Sequence, residues 1–390
     1  MIGNDKRAKR LLDTERVTPY VKAVRSVYAA GMQSSVLKKQ FPKLMTVIDS
    51  MIAIINAKRE KGAMDFQHLS VQMTLDAIGI VALDVNLGGL DGSGVLHQLL
   101  LDVGYLIFEQ HFSFKKQIAK ALFPNSESVK NDKRAIDRLT AEWDRLTKEI
   151  AQRPDPTDKE HPLWARLKNL IDPETGEKLT HKGLLAEIAT TVLAGMDTTG
   201  HQLAWILNLL ATYPGVMRKL MHELEEHNLC GETARELRFE DLGDLKYLTA
   251  VIKEGMRIAL SISIISLRVL PRDMTIFGYR IPKGTHIGCL NNRWMNSVSE
   301  WGDPDVFRPD RWLTEEDMSH KYQLGFSYGA RDCVGQRLAM MELRMAIIQI
   351  MKRYELTAVT PFDELAKNCK NGVAVEAKDG IWLHVTPRSF

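Results

Sequence analysis

The sequence is sparing with several things, and each scarcity excludes a class of protein. Cysteine occurs four times in 390 residues (Cys230, Cys289, Cys333, Cys369), scattered and with no Cys-x-x-Cys pair. That excludes a disulfide framework and fits a reducing compartment. The eleven histidines never fall at zinc-ligand spacing, so they read as surface or structural residues. The excess of charge is small, a formal +3, so nothing global points to nucleic acid. No uninterrupted apolar run approaches the roughly 18 residues of a membrane span. There is no G-x-G-x-x-G or G-x-x-x-x-G-K-[ST], so the chain shows no nucleotide site of its own. Internal repeats and low-complexity stretches are also missing. The remainder is ordinary globular composition, 45% apolar and 26% charged, enough for a large core. Residues 1–16 are polar and basic, without a signal-peptide core, and read as a terminal segment ahead of one domain over 17–390.

What is there concentrates in one stretch, Phe326-Ser327-Tyr328-Gly329-Ala330-Arg331-Asp332-Cys333-Val334-Gly335. An apolar helical run from Leu338 to Met351 follows it, so the stretch reads as a tight loop feeding a helix. Cysteine ligates metal as its thiolate, and a helix N-terminus favours the anion. A second concentration lies in a helical pattern from about His181 to Thr212, with Thr180 as N-cap and Pro214 just beyond the end. Its centre, Ala194-Gly195-Met196-Asp197-Thr198-Thr199-Gly200, puts glycines and polar groups where the flanks predict burial. Such local conflict marks functional sites, and threonine hydroxyls bonding back to carbonyls can bend a helix. Two further helices are predicted over Val17 to Ile55. Phe66 to Gln152 is helical with short breaks, Arg153 to Lys178 is a surface connection, and Tyr247 to Ala259 is helical again.

The loop pattern F-x-x-G-x-R-x-C-x-G resembles the haem-binding loop of the cytochromes P-450, haem-thiolate monooxygenases in which the cysteine is the axial ligand of the haem iron. Other stretches match that family in its order. Val21-Lys22-Ala23-Val24-Arg25 resembles W-x-x-x-R, with valine where tryptophan is usual. Residues 194–200 resemble A/G-G-x-D/E-T-T. Glu254-Gly255-Met256-Arg257 resembles E-x-x-R, although Leu260 stands where proline is usual. Phe307-Arg308-Pro309-Asp310-Arg311-Trp312 resembles P-E-R-F/W, and Gly278 to Thr285 resembles the hairpin G-Y-x-I-P-K-G-T.

The resemblance carries roles with it. Cys333 becomes the iron ligand, and Arg25, Arg268 and Arg331 become partners of the haem propionates. Phe326 packs near the sulfur, and Gly195 leaves room for oxygen. Asp197 relays protons and Thr198 hydrogen-bonds at the oxygen being activated. Glu254, Arg257 and Arg311 form a buried triad that locks the Cys333 loop. Ile188, Val192, Ser261 to Ser266 and the tip (371–374) of a hairpin over Lys370 to Pro387 line the substrate pocket. Leu99 to Leu122 becomes a pocket lid that can rest on a membrane surface.

The fold so implied is mainly α with a small β region, a cytochrome P-450 fold of the eukaryotic microsomal type. It is N-terminally truncated, without the family's anchor and first β region. The implied cofactor is haem b (iron protoporphyrin IX). The implied partners are a small lipophilic substrate, O2 and an NADPH-dependent reductase, with peripheral membrane contact and no nucleic acid. The full-length family type belongs to the endoplasmic reticulum membrane, and a chain without an anchor would be cytoplasmic or peripheral. Two alternatives share the loop. One is a haem-thiolate isomerase or dehydratase, which Asp197 with Thr198 speaks against. The other is a non-catalytic haem- or lipophile-binding fragment.

Overall fold

Side-chain caps mark the start of several helices. A computed structural model describes residues 18–97, 99–100, 113–156, 162–262, 264–290, 295–314, 324–327, 329–371 and 374–389. Thr18 accepts the Val21 N–H and opens α1 (Pro19–Gly31), with proline in its first turn. Helix α2 (Ser34–Lys58) follows, then the short strand β1 (Met64–Asp65). Asp65 accepts the Gln67 and His68 N–H groups and opens α3 (Phe66–Ile78). Ser113 caps α4 (Phe114–Leu122), and α5 (Glu127–Gln152) and α6 (Leu163–Lys168) follow.

Thr180 accepts the Gly183 N–H at 3.1 Å and opens α7 (His181–Thr212). Pro214 starts α8 (Pro214–Glu226), and α9 (Lys246–Ile258) and α10 (Gln336–Met351) complete the long helices. The 32 residues of α7 make a rod of about 48 Å at 1.5 Å per residue. It is the axis of the molecule: α3, α5, α9, α10 and a strand all pack against it. Its second half, from Thr199 to Leu210, is buried without a break, in one core continuous with α2, α3 and α10. Each large apolar side chain hidden there contributes roughly 1.5–3 kcal/mol.

The β structure is small and peripheral to that axis. Strands β2 (Ile264–Val269) and β5 (His286–Leu290) pair antiparallel, with an irregularity between Ile265 and Arg268. Strands β3 (Met274–Ile276) and β4 (Tyr279–Ile281) form a two-residue hairpin. Its turn residues Phe277 and Gly278 are both left-handed, at φ 51° and 84°. Such a turn matches the twist of the strands. Strand β6 (Tyr354–Ala358) follows α10, and β7 (Cys369–Asn371) pairs with β8 (Val375–Ala377). The final strand, β9 (Trp382–Pro387), lies between β1 and β6, so the sheet order is β1-β9-β6. The C-terminal region therefore differs from the single hairpin expected over 370–387. Only its first part turns back on itself, and β9 leaves to join the two ends of the chain.

Candidate functional site

The Cys333 loop is tied down from three sides. A one-turn helix over Leu324–Phe326 leads in, and another over Gly329–Arg331 leads to Cys333. Gly329 takes φ 81° and Ser327 φ 61°, so two residues turn left-handed in quick succession, one of them without glycine's freedom. The Cys333 N–H donates to the Phe326 carbonyl at 2.7 Å and closes the loop. Phe326 is buried in the main core. On the α9 side, a Cβ at Gly325 would sit 2.8 Å from Met256 Cε and 3.3 Å from Leu260 Cδ1, so the loop lies directly on those residues. From α1, Arg25 donates to the Asp332 carbonyl at 3.0 Å and to Asp332 Oδ1 at 2.6 Å. Arg25 thus lies against the loop, with its guanidinium engaged by the neighbour of the cysteine.

Cys333 itself is open to solvent on one side and crowded on the others. Burial pushes its thiol up. The N–H groups of Gly335 and Gln336 at the start of α10 pull it down but do not win, and Asp332 opposes them. The helix N-terminus therefore favours the thiolate less than the sequence alone suggests, because desolvation of the sulfur outweighs two amide dipoles. The other described cysteines, Cys230 and Cys369, have thiol pKa values raised chiefly by burial, to about 11 for Cys230.

The second half of the site is the centre of α7. Thr190 and Ala194 are exposed in a helix whose other faces are buried, and Asp197 and Thr198 are half-buried beside them. This stripe is the solvent-accessible side of α7 at its centre. Three carbonyls here take a side-chain donor besides their helical partner. Thr198 Oγ1 donates to Ala194 O at 2.8 Å, Thr74 Oγ1 of α3 to Met196 O at 2.8 Å, and His201 Nδ1 to Asp197 O at 2.7 Å. The helix nevertheless runs unbroken through these residues. Gly195 has a different reason from the one expected. A Cβ there would lie 2.6 Å from Ile78 Cγ1, so its bare face serves the contact with α3. Gly200 is alike: its Cβ would meet Val71 Cα and Thr74 Oγ1, each at 2.7 Å.

Glu254, Arg257 and Arg311 meet as a buried cluster. Arg257 Nε and Nη2 donate to the two Glu254 oxygens at 3.0 and 2.9 Å, and Arg311 Nε donates to Oε1 at 3.0 Å. Trp312 Nε1 and the Arg308 N–H add bonds at 2.8 and 3.1 Å. Arg257 and Arg311 also hold the carbonyls of Met295 and Trp301, and the Trp301 ring lies against both guanidinium groups.

Comparison with known proteins fits this arrangement. The family model described as cytochrome P450 matches residues 7–384. The chain belongs to the cytochrome P450 family. It is 29% identical over 289 residues to cytochrome P450 4V2 of Rattus norvegicus, covering 74% of this chain and 53% of that protein. It is 34% identical over 225 residues to leukotriene-B4 omega-hydroxylase 3 of Mus musculus, covering 56% and 41%. The chain spans about half the length of the P450 4V2 proteins it matches. The crystal structure of a cytochrome P450 (CYP102L1) superposes at a TM-score of 0.79 with 19% identity, covering 96% of this chain and 80% of that one. The cytochrome P450 fold, mostly helical with a small β part, is thereby shown.

Membership of the P450 family implies a haem, and the residues fit one. Among the described residues no cluster of His, Cys, Asp or Glu could hold a metal ion. A lone soft thiol in an open position suits a metal whose other ligands come from its own macrocycle. Arg25 and Arg331 stand on or against the same loop, with positive charge for an anionic rim. Arg268 stands on β2 opposite Ile287, and its side chain lies outside the described residues, as do Tyr328, residues 101–112 of the expected lid and the hairpin tip at 372–373. Ile188 and Val192 are fully buried in α7.

Sequence reasoning missed His201, which it grouped with surface or structural histidines. The ring is buried, with Nδ1 at 3.3 Å from Asp197 Oδ1 and Nε2 at 3.6 Å from Glu376 Oε2. The four-residue spacing of Asp197 and His201 on one helix face was the available signal.

Proposed function

We propose that this chain is a monooxygenase that inserts one oxygen atom of O2 into a small lipophilic substrate, using haem b and electrons from an NADPH-dependent reductase. The observation that carries the reading is Cys333: an open thiol beside the first amides of α10, on a loop closed by its own N–H bond to Phe326. When bound, the haem supplies oxygen activation, and a thiolate ligand favours O–O cleavage. The protein holds, orients and protonates.

In this reading Cys333 binds the iron, and Phe326 shields the sulfur from water from within the core. Arg331 and Arg268 pair with propionates by charge-assisted hydrogen bonds. Arg25 helps them after exchanging part of its contact with Asp332, or steadies the loop through that contact. Asp197 carries protons to the exposed face of α7, and the Thr198 hydroxyl, now on Ala194 O, is the local donor and acceptor there. The names of the relatives support hydroxylation: one is a leukotriene-B4 omega-hydroxylase, another a 1,25-dihydroxyvitamin D(3) 24-hydroxylase. Helix α4 supports peripheral contact with a membrane, where lipophilic substrates collect. Phe114, Ile118 and Leu122 are exposed at four-residue spacing among Lys115, Lys116 and Lys120. Among the described residues no helix is long and apolar enough to cross a membrane.

The test is spectroscopic. The reduced carbon-monoxide complex of the haem-loaded chain is expected to show the red-shifted Soret band of a thiolate ligand, and Cys333→Ala to abolish it together with turnover. A Cys333→Ala protein that keeps the band would remove the residue from the role.

A further inference from the structure

His201 lies in the wall behind the exposed face of α7, and only 5% of it reaches solvent. Nδ1 sits 2.7 Å from the Asp197 carbonyl oxygen and 3.3 Å from Asp197 Oδ1. A carbonyl oxygen only accepts, so Nδ1 carries a hydrogen. Nε2 sits 3.6 Å from Glu376 Oε2 on β8, and an ionised carboxylate also only accepts. Both nitrogens therefore face oxygen acceptors, an arrangement that favours the imidazolium. The other Glu376 oxygen takes Lys370 Nζ of β7 at 3.1 Å. Asp197 and Glu376 against His201 and Lys370 leave the group neutral, as a half-buried group of charges must be.

We infer that His201 is a positioning residue for Asp197: as an imidazolium it fixes that carboxylate on α7 and ties it to Glu376 on the C-terminal hairpin. The inference rests on the reading of Asp197 as proton donor. Burial opposes a charged ring, but hydrogen bonds to Asp197 and then Glu376 outweigh it and raise the ring to about 10. Burial likewise pushes Glu376 up, and the bonds from His201 and Lys370 win and hold it below the usual carboxylate range.

The next polar residues of α7 make the same kind of tie. Gln202 donates to the Ala259 carbonyl at 3.0 Å and accepts the Ser261 N–H at 3.2 Å. Trp205 Nε1 donates to the Val375 carbonyl at 3.1 Å, and the Val375 N–H donates to Ser261 O at 2.7 Å. One helical segment thus gathers the turn after α9 and the β7–β8 hairpin around the acid.

The test compares wild type with His201→Gln, Glu376→Gln and Asp197→Asn, all haem-loaded. The first readout is thermal unfolding from pH 6 to pH 10. The ring is raised from 6.5 to about 10, so its stabilisation is complete below 6.5 and is lost as pH rises through about 10. The melting gap between wild type and His201→Gln is therefore widest at pH 6 and closes towards pH 10. The second readout is product formed per NADPH consumed, expected to fall several-fold in His201→Gln and in Asp197→Asn. Should His201→Gln fail to load haem, Glu376→Gln carries the test, because removing one acceptor moves the fall in melting temperature to lower pH. A pH-independent gap overturns the inference, as does a His201→Gln protein with wild-type yield beside an impaired Asp197→Asn. Wild-type yield in Asp197→Asn overturns both the inference and the role of Asp197.

Discussion

Around Glu254 five donors converge at 2.8 to 3.1 Å, from Arg257, Arg308, Arg311 and Trp312. Around His201 the two carboxylates stand at 3.3 and 3.6 Å, and one of them is shared with a half-exposed lysine. Both groups are ionic, and both join segments far apart in sequence. They differ in redundancy. At Glu254 every charge has several partners and the side chains are 0–2% exposed, so no member can move alone. At His201 the ring nitrogen Nδ1 rests on two oxygens of Asp197, at 2.7 and 3.3 Å, while Nε2 reaches only Glu376, at 3.6 Å. A buried charge with many partners makes a fixed frame, and the 3.6 Å step from His201 to Glu376 is the looser of the two links. The first network ties α9 to the segment 295–312, and the second ties α7 to β8.

The comparison breaks most visibly at Glu254. Glu254→Ala leaves Arg257 as an uncompensated buried charge and Arg311 with Asp303 alone, a loss of about 3–5 kcal/mol from a total of about 5–15 kcal/mol. Little or no haem-loaded protein is expected on purification. A variant that loads haem fully and melts like wild type would show that the network is not the frame. A middle-sized effect is expected at Gly195→Ala. Its Cβ would lie 2.6 Å from Ile78 Cγ1, and overpacking of this kind costs about 1–3 kcal/mol, read by urea unfolding. A neutral result would mean that α3 yields, and that the α7 centre is softer than its burial implies. The smallest effect belongs to Arg25→Ala. Its contact with Asp332 is 2.6 Å, shorter than any bond to Glu254, but the side chains are 27% and 51% exposed. Solvent screening leaves such a pair worth about 0–1 kcal/mol. A larger loss, especially one confined to haem retention, would sharpen the comparison by giving Arg25 a partner beyond Asp332.

The bounds of α7 are legible because they are written locally, in the Thr180 cap and in Pro214. So are the loop and helix at Cys333, whereas the meeting of Glu254 and Arg257 with Arg311, 57 residues from Glu254, is implied by the family resemblance and not by local pattern. What local chemistry cannot show is which strand a strand will join. Trp382–Pro387 looks like the return limb of a hairpin until Met64–Asp65, more than 300 residues upstream, is placed beside it. Likewise a histidine in a helix is silent without Glu376, and the reason for Gly195 lies in Ile78 on another helix. The family resemblance reaches the roles of Cys333 and Asp197, whose motifs are shared. It does not reach His201, which no matched motif contains.

The bond from Arg25 to Asp332 closes 307 residues, and that from Gln67 to the Ala377 carbonyl closes 310. Contacts of such sequence separation form late and slow the folding of a chain. On a ribosome adding about 5–20 residues each second, the first helices wait many seconds for their partners. Over that interval α1 and α3 exist without the loop and strands that cover them, and the face of α7 is exposed to whatever binds apolar surface. The order of synthesis therefore places the cysteine and the hairpin about 300 residues after α1 and α3. A ligand or cofactor present before they arrive has no completed site to enter, so loading is expected to follow synthesis of the loop and the hairpin.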